Sequence, residues 1–345
     1  MLQAVNTPRR IDNIDLLKGV NIILVVMFHL TYFHSSMGSI RTYVTPYFMP
    51  LFFFTSGMFF SSKKSFSDFL LHKVNRLIIP LLFFYFANYF FGFFGSDIVG
   101  LGDKGLVDKF HWSNMADLFN GREHFNYAGA IWFLVCMFNL YIIYYFVSKI
   151  KNVTVKFILC ALLSFAGYLL NYYSLNLPYF LDSALSMVIF FFLGDFVRKN
   201  PYVVHKNKLD YPLLAILSIL YVLMVNGFDL QIQVMLNEYQ GNYGLIVLRA
   251  ILGISVIYII CKRIGKVNII NFFGENSLII LCTHQVLINV FSVVLKKLLH
   301  IDGVLGFTLN LIITMACEYV IIILLNKYLP YFVAKKDLIK AKQTQ

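Results

Sequence analysis

The sequence predicts an all-α integral membrane protein, a bundle of about ten transmembrane helices with both termini on the cytoplasmic side. Three observations carry that expectation. Hydrophobic residues make up 59% of the 345 and charged ones only 13%, a balance no soluble globular domain needs. Apolar runs long enough for a bilayer core of about 30 Å recur along the chain with little interruption. The basic residues gather in short clusters between those runs, and the clusters fall mostly on alternate loops.

The first apolar run covers residues 14–33. It carries Lys18 and His29, follows Arg9 and Arg10, and has no small-residue cleavage site, so it reads as a retained span rather than a signal peptide. Nine further runs lie near 46–61, 77–95, 130–148, 157–174, 183–197, 210–226, 243–261, 276–295 and 305–326. With the N-terminus in the cytoplasm, the inside segments hold 21 of the 29 Lys and Arg residues, from Arg9 through Lys342. The outside segments hold Arg41, Lys104, Lys109, Arg122, Lys296 and Lys297, while Lys18 and Arg249 fall within spans. That asymmetry puts both termini inside.

The longest outside segment, residues 96–129, mixes Asp97, Asp103, Asp108, Asp117, Glu123 and Asn126 with His111, Trp112 and His124. It suits a carbohydrate-facing surface and an ordinary solvated loop equally well. Neither an internal repeat nor a second soluble domain is visible, so residues 1–330 read as one membrane domain and 331–345 as a short basic cytoplasmic tail. The net charge of +12 does not imply nucleic acid, because the cations are spread over loop clusters rather than along one face. The five cysteines sit inside apolar runs without a Cys-x-x-Cys pair and read as small core hydrophobes. No metal is implied, since no histidine and carboxylate pattern has ligand spacing.

A charged group inside a span costs roughly 3 kcal/mol, so each needs a partner or a purpose. The first span holds Asp15, Lys18 and His29. Eleven residues separate Lys18 from His29, which is three helical turns, so both lie on nearly one face about 16 Å apart along the axis. That length is comparable to the pantetheine arm of coenzyme A, with a cation to hold phosphates at one end and an imidazole to act as base at the other. The plainer alternative has Lys18 snorkelling beside Asp15 and His29 as a hydrogen-bonded packing residue. His284, Arg249 and Glu318 are further intramembrane ionisable groups, and Glu318 could pair with Arg249 or with His284.

The string from Asp15 to His29, a cation eleven residues before a histidine, resembles the opening motif of the membrane acyltransferase type 3 family. Further segments agree in order: Phe54-Thr55-Ser56-Gly57, Arg76-Leu77-Ile78-Ile79-Pro80, Trp132-Phe133-Leu134, Phe192-Leu193-Gly194, and Gly274-Glu275-Asn276-Ser277-Leu278 followed by His284. The resemblance spans nearly the whole chain. It implies transfer of an acetyl or other short acyl group from cytoplasmic acyl-CoA to an extracytoplasmic or lipid-linked glycan, in a multi-pass protein of the cell membrane. Many members carry arginine where Lys18 stands, and lysine is a point charge without the bidentate fork. In that respect the chain is similar to the branch of fucose 4-O-acetylases.

On this reading His29 is the catalytic base, Lys18, Arg76, Ser56 and Gly57 border the acetyl-CoA site, and Trp132, Asn276, Ser277 and His284 border the acceptor. Each has a structural alternative: small residues for helix packing at Ser56 and Gly57, positive-inside charge at Arg76, the interfacial aromatic belt at Trp132, and helix capping at Asn276 and Ser277. A covalent acyl-histidine is a variant the sequence does not separate from general base catalysis. The rival function is a glycan or lipid transporter or flippase, which would also need buried charges along a polar path. The expected partners are the bilayer and a glycan or lipid-linked sugar, not nucleic acid, and a homo-oligomer is compatible with the sequence. The charge asymmetry makes a direct prediction: cysteines placed at Ser65 and Asn207 should react with an impermeant thiol reagent only from the cytoplasm, and one at Ser113 only from outside. Reaction of all three from one side would rule out the ten-span layout.

Overall fold

The computed structural model describes residues 12–32, 37–99, 129–200 and 205–340, apart from the side chains of 91–99. The long outside segment singled out above therefore lies almost entirely outside the described residues, as do Arg9 and Arg10. Each of the ten apolar runs forms a helix. In chain order the helices are α1 (Asp12–Leu30), α2 (Gly38–Val44), α3 (Phe48–Met58), α4 (Phe66–Lys73), α5 (Ile79–Val99), α6 (Trp132–Val147) and α7 (Val153–Tyr172). They continue with α8 (Leu181–Lys199), α9 (Asp210–Gly227), α10 (Tyr243–Ile264), α11 (Asn268–Glu275), α12 (Ser277–Val293) and α13 (Gly303–Tyr328). A small antiparallel hairpin, β1 (Gln231–Gln233) and β2 (Glu238–Gln240), joins α9 to α10.

Nine of these helical stretches are long and apolar enough to cross a membrane among the described residues. The second run is the exception. At 11 residues α3 rises only about 16 Å, half a bilayer core. Its first turn contains Pro50, which tolerates an early helix position because its missing N–H falls among the unpaired donors there. All but one of its residues are buried, so it is a half-span wrapped by protein rather than by lipid.

Glycine sets how closely the central helices approach. A Cβ on Gly57 of α3 would sit 2.0 Å from the Phe191 carbonyl oxygen of α8, and one on Gly194 of α8 would sit 1.9 Å from the Phe54 oxygen of α3. The two backbones are in direct contact at this crossing, the small-residue packing that membrane helices use where no hydrophobic drive separates protein from lipid. A second such crossing holds α1 to α11. Gly19 faces the Ile270 oxygen, and Gly274 faces the Asp15 oxygen at 1.9 Å from a would-be Cβ.

The two ends of the bundle differ. At one end Asn271 Nδ2 donates to the Asp12 oxygen at 2.7 Å, Lys335 Nζ to the Glu275 oxygen, and Lys149 Nζ to the Ser62 oxygen. Both described termini are thus at this end, beside α11. The chain after Pro330 does not leave the bundle: Val333 is buried, Phe332 stacks on Phe83, and Asn75 donates to and accepts from the Ile339 backbone. Just before α5 the helix carries a π turn over Val74–Ile78. Pro80 lies beyond it and offers no N–H to the Arg76 carbonyl, which accounts for the irregular turn there. At the opposite end the loops around α2, the start of α6 and the β-hairpin surround a cavity.

The glycine crossings predict that Gly194→Val forces α3 and α8 apart and loses most folded protein. Gly38→Ala, where nothing lies within 4 Å of the new Cβ, should leave thermal stability in detergent unchanged. A Gly194→Val protein melting like the wild type would contradict this account.

Candidate functional site

The helix α1 buries just over half of its residues, with acidic residues in its first turn, where the helix dipole favours them, and His29 in its last. His29 emerges from the last turn into a cavity of about 950 Å³. Around it stand Phe28, Tyr32 and Arg41 from the α1–α2 region, Trp132 from the start of α6, Arg249 from α10, Gln285 from α12 and polar residues of the β-hairpin.

Two residues of α12 adjoin the His29 ring. The Gln285 Oε1 accepts the Ala130 backbone N–H at 3.2 Å, which turns the amide so that Nε2 faces His29, 3.3 Å from Nδ1 and 3.5 Å from Nε2. Gly129 permits that approach, since a Cβ there would sit 2.9 Å from Gln285 Oε1. The other residue is His284, fully buried, its ring centroid 5.1 Å from that of His29. Its Nδ1 lies 2.6 Å from the Ile280 oxygen. A carbonyl only accepts, so Nδ1 carries the proton and Nε2 keeps a lone pair. That Nε2 is buried without a hydrogen-bond partner.

The predicted donor-site residues lie at the other end. Lys18 Nζ is 2.8 Å from Asp15 Oδ1 and sits over the Phe59 ring, so the anticipated intrahelical pair forms. One carboxylate leaves donors of the ammonium free. Arg76 pairs with Asp337 of the returning C-terminal segment at 3.3 Å. Ser56 bonds the Tyr141 hydroxyl, and Lys73 Nζ stands 3.3 Å above that tyrosine ring. Lys64 and Arg76 are each close enough to Lys73 to repel it. Ser56 and Arg76, far apart in sequence, thus share a basic cluster whose centre is Lys73. Gly57 belongs to the α3–α8 crossing.

Several expectations change. Asn276 occupies the N-cap position of α12, but its side chain makes no capping bond: its amide donates to the Phe272 oxygen and its Oδ1 accepts from Asn326, both at 2.8 Å. Both Asn276 and Ser277 stand at the termini's end, away from the cavity that His29 and Trp132 line and that His284 adjoins only through the His29 ring. Arg249 and Glu318 do not pair with each other or with His284. The Arg249 Nη2 donates to the Leu230 oxygen of the hairpin, and Glu318 lies 2.8 and 2.9 Å from the Thr283 hydroxyl. Sequence reading missed Gln285, whose neutral side chain stands out only by following His284. It also missed Lys73, which reads as one more inside charge.

The pattern that defines the acyltransferase domain of acyltransferase family 3 matches residues 11–323. The chain belongs to that family. No curated protein and no solved structure matches it. Family membership and nine membrane-length helical stretches among the described residues make this a multi-pass membrane acyltransferase.

Proposed function

We propose that this membrane acyltransferase moves an acetyl or similar short acyl group from cytoplasmic acyl-CoA to a hydroxyl of a cell-envelope glycan or lipid-linked sugar. The observation that carries the reading is the position of His29: it lies on the cavity at one end of the bundle, on the same helix as Lys18 three turns toward the other end. Membership of an acyltransferase family favours transfer over transport.

In the proposed reaction His29 takes the proton of the acceptor hydroxyl as the oxygen attacks the thioester carbonyl. The C–O bond forms, the C–S bond breaks, and the coenzyme thiolate leaves and takes up that proton. Gln285 holds the imidazole in place through an amide whose direction the Ala130 N–H sets. At the termini's end the Lys64, Lys73 and Arg76 cluster, with Lys18, supplies cations for the donor's phosphates. The thioester arm would then run along α1, whose axial span from Lys18 to His29 is about 16 Å. The acceptor would enter from the cavity, between Trp132 and the β-hairpin.

The donor half predicts that Lys73→Gln and Lys18→Ala each weaken acetyl-CoA binding, while Lys18→Arg keeps much of it because charge and reach persist. Calorimetry showing wild-type affinity in both neutral variants would remove the cations from the donor site. The catalytic half predicts that His29→Ala remains folded and binds acetyl-CoA, but transfers acetyl at a rate lower by about 10² to 10⁴, the range for loss of a general base. His29→Asn should not rescue it, because a carboxamide takes no proton. The assay is acetyl transfer to envelope glycan by purified variants in nanodiscs, with donor binding as the folding control. Near-normal turnover by His29→Ala would exclude His29 as the base.

A further inference from the structure

Two arginines face the cavity without a carboxylate partner. Arg249 is 3% exposed, yet among the described residues its one hydrogen bond is from Nη2 to the Leu230 carbonyl, and its Nε is buried with no partner. Arg41 donates from Nη2 to the Tyr32 hydroxyl at 3.1 Å and stacks over the Tyr32 and Phe28 rings, 4.4 and 5.2 Å from their centroids. Among the described residues no carboxylate lies within 4.0 Å of either guanidinium. Asp229 is near enough to Arg249 to act on it electrostatically but makes no ion pair with it.

A buried guanidinium held by a single neutral carbonyl is costly, because the charge has left water without gaining a counter-charge. Elsewhere the bundle pairs a comparably buried cation with a carboxylate: Lys262 sits 2.5 Å from Asp210. The positive-inside bias offers no explanation either, since this end of the bundle is the one poor in basic residues. What Arg249 and Arg41 share is the cavity that His29 also lines.

We infer that this cavity binds an acceptor carrying an anionic group, a carboxylate or phosphate on the sugar, with Arg249 and Arg41 as its counter-charges. This rests on the acyl-transfer reading and narrows its acceptor to an acidic glycan or a phosphate-linked sugar. Arg41, planar and pre-ordered by stacking, keeps most of its five N–H donors for a ligand, and a guanidinium fork matches either anion bidentately. The hairpin side chains Asp229, Gln231, Gln233 and Glu238 line the same space and suit sugar hydroxyls.

The test is direct binding to the full-length protein in nanodiscs, without acyl donor, of methyl glucuronide, glucose 1-phosphate and neutral methyl glucoside. At least one charged sugar should bind about tenfold or more tightly than the neutral one. A preference for methyl glucuronide alone assigns a carboxylate, and one for glucose 1-phosphate alone a phosphate. Arg249→Gln and Arg41→Gln should each reduce that preference, whereas Arg249→Lys should retain part of it; Arg41→Gln, at a partly exposed position, carries the test if Arg249→Gln does not fold. His29→Ala should keep the preference while losing transfer. Failure of acyl transfer with the charge preference intact would sink only the catalytic reading. Equal binding of all three sugars, or a preference unchanged in the arginine variants that fold, would overturn the anion site and leave Arg249 as an anchor for the hairpin.

Discussion

The core of a bilayer offers no water to complete a hydrogen bond, and so every polar group this bundle buries must be satisfied by the bundle itself. Most of them are, and the pairs tie distant segments together. Asn21 of α1 donates to the Phe48 oxygen at the start of α3, Asn88 of α5 to the Cys282 oxygen of α12, and Asn310 of α13 to Ser292 of α12. Each removes a cost of about 1–3 kcal/mol for an unmet buried group. Among the described residues a few buried polar atoms lack a hydrogen-bond partner, Asn21 Oδ1 and Asn326 Oδ1 among them, and two more lie at the cavity end: Nε2 of His284 and Nε of Arg249. One adjoins the His29 ring and the other belongs to a residue that lines the cavity.

The glycine crossings make this satisfaction geometrically available. With α3 laid against α8 backbone to backbone, a half-length helix can end inside the protein without meeting lipid. With α1 laid against α11, the Asn271 side chain reaches the Asp12 oxygen and the first turn of α1 is fixed. That contact sets the register of α1 relative to α12, which runs directly on from α11. The position of His29 beside His284 and Gln285 is therefore fixed at the opposite end of the helix from the glycine that permits it.

Hydropathy made the ten helices legible, because a span is a long local signal and all ten runs became helices. The helices it did not reveal, α2, α4 and α11, are at most eight residues and exist through tertiary contact rather than through any pattern of their own. The β-hairpin is shorter still, and nothing in residues 231–240 announces it. Within the site, His29, Trp132 and His284 were visible as polar or aromatic residues in greasy runs, and they do converge on one cavity or its wall. The helix start at Asn276 and Ser277 was legible, but the side-chain cap an asparagine suggests there is missing because a partner on another helix, Asn326, claims its oxygen. Gln285 was invisible for a related reason: a neutral amide carries no insertion penalty large enough to demand explanation, and its importance comes from the Ala130 N–H across the cavity rim. Pairings between helices are long-range facts, and one sequence holds no record of them.

The α12 pair also constrains how the site can work. Neutral His284 cannot donate from Nε2, because the Ile280 carbonyl has claimed its one proton at Nδ1. Gln285 likewise presents an N–H rather than an oxygen to His29, its oxygen being held by a backbone donor. The amide nitrogen lies 3.3 and 3.5 Å from the two ring nitrogens of His29, and its N–H meets a lone pair only while the imidazole is neutral. Once His29 takes a second proton no lone pair remains for the amide N–H, and that contact becomes unfavourable. The imidazolium then gains a proton donor on each nitrogen while the ring beside it holds an unused acceptor. Under the proposed reaction this arrangement stabilises the neutral, proton-accepting form of His29 before attack. After attack the doubly protonated ring has lost that contact, which favours return of its proton to the leaving thiolate.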